Sequence, residues 1–135
     1  MGGSRALPLS GEGALGDDRI KRFWGLGLIA VFLHGVADPV ITYITVSVYD
    51  VGREANPWLA THLEKGATSF LLVHAQLYLI IFGIFAAFTW LFYRGTDSER
   101  EQIYKLSLVL WSLIILWGAF IVGNNLFVLA DGIGF

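Results

Sequence analysis

Residues 23–49 read FWGLGLIAVFLHGVADPVITYITVSVY. The stretch holds one acidic residue, Asp38, and one histidine, His34, and no lysine or arginine. A helix rises ~1.5 Å per residue, so ~20 apolar residues span the ~30 Å hydrocarbon core of a bilayer. This segment is long enough to do so. Residues 68–93 and 106–130 repeat the pattern and contain no Asp, Glu, Lys or Arg.

The whole chain has 135 residues, 56% hydrophobic and 15% charged. A soluble domain usually carries about 25% charged residues, and the three apolar segments account for the shortfall. Buried helices of a soluble domain are the competing explanation, but three would rarely all be this long and this free of charge. A spanning segment must satisfy its own backbone hydrogen bonds, which makes it a helix, and no alternating pattern suggests a barrel. The expected fold is an all-α membrane protein, a three-transmembrane-helix bundle with a short interfacial helix in the first loop.

Working outward, residues 1–18 read as a disordered cytoplasmic tail rich in Gly, Ser and Ala. Residues 19–130 form the membrane domain, with spans at about 23–49, 68–93 and 106–130, and 131–135 are a short tail. Asp17 and Asp18 are N-cap candidates. Phe23 and Trp24 suit an interfacial aromatic belt. We expect neither a cleaved secretory leader nor myristoylation, since the first apolar run is too long for a leader and Ala6 stands where the lipidation signal wants Ser or Thr.

Pro39 cannot donate a helix hydrogen bond and frees the carbonyl of Gly35, so a kink is expected there. In the first loop, Asn56 followed by Pro57 signals a helix start, and Gly66 a helix end. Trp58, Leu59 and Leu63 give that short helix an apolar side suited to a bilayer surface. Ser98 and Glu101 fit a capping box, placing the third helix start near Glu99. Gly83/Ala87 and Ala119/Gly123 are small-residue spacings that read as helix packing.

Lysine and arginine set orientation. Of the nine, Arg5, Arg19, Lys21, Arg22, Arg94, Arg100 and Lys105 fall on one side of a three-span chain, and Arg53 and Lys65 on the other. The expectation is a plasma-membrane protein with its N-terminus cytoplasmic and its C-terminus outside. A net charge of −2 offers no basic surface for nucleic acid. The absence of cysteine excludes disulfides, thiolate metal sites and cysteine nucleophiles.

The polar residues of the spans gather towards one end. Asp38 lies roughly 22 Å beyond Phe23 along the helix. His34, Asp38, Thr42, Thr45 and Tyr49 share one helix face. His74 and Gln76 open the second span, and Asn124 and Asn125 lie in the outer third of the last. An ionised group inside a bilayer costs ~3 kcal/mol and normally faces a partner or water. His34, Thr42, His74 and the two asparagines are the candidate partners of Asp38.

Each residue also has a structural explanation. Asp38 as a neutral acid would be interhelical glue, as would the asparagines. Thr42 and Thr45 would bond their own backbone carbonyls. Glu54 would only cap the next helix. Trp111 and Trp117 would fill the bundle.

The pattern Asp38-x-x-x-Thr42, followed by Gly52-x-Glu54-x-Asn56-Pro57, resembles a family of small, uncharacterised multi-pass membrane proteins, largely archaeal. The resemblance covers residues 33–59. It implies that Asp38, Thr42, Glu54 and Asn56 act as a unit, and it supplies no reaction.

Three functions fit these residues. The first is a non-enzymatic outward-facing site for a small ion, ligand or partner, built from Asp38, Thr42, Glu54, Asn56, His74 and Asn124, in a homo-oligomer or with other membrane subunits. The second is an anchor or accessory subunit of a larger complex, in one version holding a b-type haem between His34 and His74. The third is an intramembrane enzyme using Asp38, His34, His74 and Glu54 for acid–base or metal chemistry. Against the third, the sequence has no HExxH, GxSxG, paired-aspartate or phosphate-loop motif.

Overall fold

The computed structural model describes residues 17–135. The expected tail thus lies outside the described residues except for Asp17 and Asp18. Helix accounts for 86% of the described residues, with no strand among them. Four helices follow in order: α1 (Asp18–Val48), α2 (Pro57–Glu64), α3 (Ala67–Arg94) and α4 (Asp97–Gly132). At 31, 28 and 36 residues, α1, α3 and α4 are long and apolar enough to cross a membrane. α1 packs along its length on α4, while α3 rests more lightly on both and carries α2 at its start.

Local chemistry sets the boundaries. The Asp17 carboxylate accepts the Arg19 backbone N–H at 2.9 Å and starts α1. Asn56 Oδ1 accepts the Trp58 N–H at 3.0 Å, and Pro57 takes the first position of α2, where a missing donor costs nothing. Gly66, at φ +98°, ends that helix in the left-handed region open to glycine. The capping box of α4 is formed by Thr96 and Glu99, not Ser98 and Glu101. Both pairs carry the right spacing, but Gly95 breaks α3 one residue before Thr96, so the first eligible hydroxyl takes the cap. α4 consequently starts two residues ahead of expectation and runs on to Gly132.

α1 is not a uniform helix. Two π-helical turns, Leu33–Ala37 and Ile44–Val48, flank the α-helical piece Asp38–Tyr43. The kink expected at Pro39 takes the form of the first of these turns. There the Asp38 N–H reaches back five residues to the Leu33 carbonyl. The Gly35 carbonyl, which Pro39 cannot satisfy, accepts the phenolic O–H of Tyr78 from α3. In the second turn, the Thr45 hydroxyl bonds the Ile41 carbonyl at 2.8 Å, and the Tyr49 N–H bonds the Ile44 carbonyl at 3.1 Å.

The π turns change which residues face α4. Ile20, Phe23, Gly27 and Ala30 are buried at spacings of 3, 4 and 3, and His34 continues that seam. An unbroken 3-4 repeat would next place Ala37, Ile41 and Ile44 inside. A π turn takes up an extra residue, and the inward positions become Asp38, Thr42 and Thr45 instead. Tyr49, expected on the same face, ends α1 and is 52% exposed.

The two ends of the bundle differ in chemistry. At the α1 N-terminal end the core is aromatic: Phe23 stacks on Phe88, and Phe85 lies between Trp24 and Trp111. Gly27 makes this possible, since a Cβ there would run into the Phe85 ring. Trp24 Nε1 donates to Thr89 Oγ1 at 3.2 Å. Above this core, Phe92 is covered by the Arg19 and Arg100 guanidinium groups, at 5.0 and 5.6 Å from its ring. Arg19 reaches Asp17 at 2.8 Å and Glu101 at 3.6 Å, and Lys105 meets Glu101 at 3.3 Å, closing a charged rim.

Within the chain the small-residue pairs Gly83/Ala87 and Ala119/Gly123 make no close helix contact. Nothing approaches a Cβ built on Gly83 or Gly123, and both lie on the outer surface. The close helix approaches occur at Gly27, Gly35 and Gly118. That outer surface is apolar: Leu71, Leu72, Leu79, Leu116 and Phe127 are each more than half exposed.

Candidate functional site

At the end away from the charged rim, α1, α4 and the 50–56 loop enclose a cleft of about 490 Å³. One wall is Asp38, Thr42 and Thr45 of α1. The other is Trp117, Phe120, Ile121, Asn124, Asn125 and Val128 of α4. The roof is the segment from Gly52 to Asn56, with Leu59 of α2.

The roof follows from local backbone chemistry. Asp50 and Gly52 have φ of +56° and +74°, which turns the chain sharply after α1. A Cβ on Gly52 would lie 3.0 Å from Val128 Cγ1, so this close approach to α4 also favours glycine. Glu54 Oε1 then accepts the Asn56 N–H at 2.8 Å. Glu54 and Asn56 thus form a fixed turn over the cleft before α2 begins.

At the base, three side chains share hydrogen bonds. Asn125 Nδ2 donates to Asp38 Oδ1 at 2.8 Å and to Thr42 Oγ1 at 3.2 Å. The Thr42 hydroxyl donates to Asp38 Oδ1 at 3.3 Å. Thr42 is 7% exposed, while Asp38 and Asn125 are half-buried. Oδ2 of Asp38 accepts no hydrogen bond among the described residues. No Lys, Arg or His there forms an ion pair with Asp38. Arg53 of the roof segment lines the cleft and likewise pairs with no carboxylate among the described residues. The cleft therefore presents an acceptor at its base and a cation in its roof segment.

The sequence-derived residues divide accordingly. Asp38, Thr42, Glu54, Asn56 and Asn124 all line the cleft. His74 does not. It is 5% exposed and turned onto its own helix, where Nδ1–H donates to the Phe70 carbonyl at 2.7 Å. Gln76 is exposed outside the cleft. His34 Nε2–H donates to the Ile114 carbonyl at 2.9 Å. A Cβ on Gly118 would come within 2.7 Å of that nitrogen, so His34 is packed directly on the α4 backbone. This leaves no room for a porphyrin face at Nε2, and the haem pairing of His34 with His74 does not fit. No group of three or more metal-ligating side chains occurs among the described residues.

Tyr78 and Arg53 were given no site role from the sequence, and of the two asparagines offered as partners of Asp38 it is Asn125 that bonds it. For Asn125 a signal was available. Tyr104, Ser107, Trp111 and Gly118 are the buried positions of α4, spaced 3, 4 and 7. One further step of seven falls on Asn125. Asn124 sits a helical step away, exposed at the cleft edge.

An all-helical chain with three membrane-length helices and a polar cleft between two of them is the class of protein defined here. The chain belongs to the family described as "Domain of unknown function (DUF5658)", which matches residues 29–131. Every residue lining the cleft falls within that match. No curated protein matched the chain, and no solved structure did.

Proposed function

We propose that this is a three-span integral membrane protein that binds a small ligand or ion in the cleft built on Asp38. In this reading the apolar outer surface of α1, α3 and α4 faces lipid, and α2 lies at the interface with Trp58 exposed. The charged rim is cytoplasmic, because Arg19, Lys21, Arg22, Arg94, Arg100 and Lys105 collect there while Arg53 and Lys65 lie at the other end. The cleft then opens towards the outside.

One observation carries the binding role. Asp38 keeps a free acceptor oxygen in a cleft of about 490 Å³ and has no cationic partner among the described residues. A carboxylate serving only as interhelical glue would be expected to spend both oxygens within the bundle. Sites of this size suit small molecules.

Native mass spectrometry on full-length protein, gently extracted from its host membranes, tests this. The expected result is a bound small species that the Asp38→Asn protein does not retain. Wild-type protein carrying stoichiometric foreign chains and no small species would overturn binding in favour of the accessory-subunit role.

A further inference from the structure

The aromatic wall of the cleft does not stop at its rim. Trp117 and Phe120 line the cleft yet are 60% and 63% exposed, and their rings stack at 5.6 Å with a 26° interplanar angle. They lead from the Asp38 end onto the outer face of α4, where Leu113 and Leu116 are also exposed. One ligand surface thus runs from a carboxylate to an apolar flank that, in the membrane reading, faces acyl chains. The volume of about 490 Å³ suits a headgroup and is too small for a two-chain lipid. Its tails would have to leave along Trp117 and Phe120.

Charge complementarity chooses the head. Asp38 Oδ2, Glu54 and the Asn124 amide oxygen are acceptors lining the cleft, two of them on carboxylates, which favours a hydrogen-bond-donating cation such as a primary ammonium. Arg53, unpaired among the described residues, lines the same cleft and offers a partner to a phosphate. We propose that the cleft takes the primary-ammonium head of a membrane amphiphile, of the ethanolamine-phospholipid type, entering sideways from the outer leaflet. This rests on the binding function above and names its ligand class.

The test uses full-length protein in nanodiscs of phosphatidylcholine with a minor fraction of phosphatidylethanolamine, reading retained lipid by native mass spectrometry. Wild-type protein should retain phosphatidylethanolamine roughly tenfold over its share, and Asp38→Asn should lose that preference, as expected for removal of a charged hydrogen-bond partner. Glu54→Gln, on the roof and outside the helices, should weaken the preference and carries the test should Asp38→Asn misfold by circular dichroism. Trp117→Ala should weaken lipid retention without affecting free phosphoethanolamine. Equal retention of the two lipids by wild-type protein, or an undiminished preference in folded Asp38→Asn, would overturn the proposal. So would free phosphoethanolamine binding as tightly as the lipid. An Asp38-dependent species of other chemistry would sink the ammonium-lipid assignment and leave the binding function standing, whereas no Asp38-dependent species at all would sink both.

Discussion

The phenolic O–H of Tyr78 on α3 donates to the carbonyl of Gly35 on α1, whose usual donor four residues on is replaced by Pro39. Gly35 also admits the ring, since a Cβ there would lie 2.6 Å from it. This bond thus serves a carbonyl that Pro39 cannot and ties α3 to the first π turn. Tyr78→Phe should lower stability by about 1–3 kcal/mol, the cost of a carbonyl left unpaired in a partly buried site. Gly35→Ala should be at least as damaging. Thermal unfolding in detergent would show it, and a Tyr78→Phe protein as stable as wild type would remove this bond from the account.

Glycines of equal sequence prominence should behave differently. Gly27→Ala drives a methyl into Phe85 and within 3.1 Å of Trp111 Cζ2, and overpacking of that kind costs about 1–3 kcal/mol. Gly83→Ala and Gly123→Ala meet nothing and should be neutral or slightly stabilising. Melting temperatures of the three variants, compared side by side, give the answer. Damage from Gly83→Ala or Gly123→Ala would reveal a contact with another chain on that face.

The neighbouring asparagines separate in the same way. Asn125→Ala deprives Asp38 and Thr42 of a shared donor and should destabilise by about 1–3 kcal/mol. Asn124→Ala should change stability by no more than ~0.5 kcal/mol. The reverse order would mean that α4 faces α1 with a different phase.

Acid should weaken the start of α1. The Arg19 guanidinium, hydrogen-bonded to the Asp17 carboxyl, holds it below the usual carboxylate range, and the Arg19 backbone N–H adds to this. The stabilisation is complete above the unfolded-state value of ~4 and fades as pH falls through the lower folded-state value. Asp17→Ala should cost about 1 kcal/mol at neutral pH, as for other N-caps. Wild type and variant should converge in melting experiments at the acid end. A difference that persists there would place the effect elsewhere.

Orientation is open to labelling, because the chain has no cysteine of its own. In intact cells an impermeant maleimide should reach Trp58→Cys and not Ser98→Cys, which should react only after permeabilisation. The opposite pattern would invert the topology, and labelling of both from one side would break the three-span arrangement.

Much of this architecture is legible in the chain itself. The long apolar runs mark α1, α3 and α4, because hydrocarbon length and backbone self-satisfaction leave little else for such runs to form. The Asp17 and Asn56 caps and the Gly66 stop were readable because they depend on residues within one turn. Where two local solutions competed, as with Thr96–Glu99 against Ser98–Glu101, the outcome depended on where the preceding helix stopped.

The sequence by itself determined the helices, the polar character of one end, and the grouping of Asp38, Thr42, Glu54 and Asn56. Only the tertiary structure decided the rotational phase of the helices. Pro39 announced a break in α1, but not that it would take the form of a π turn, which displaces the later side chains of α1 by one position. The choice of Asn125 over Asn124 as donor to Asp38 and the arrival of Tyr78 at Gly35 follow from that phase. Such contacts join residues 43 to 87 positions apart in the chain, and they exist only once two helix faces have met.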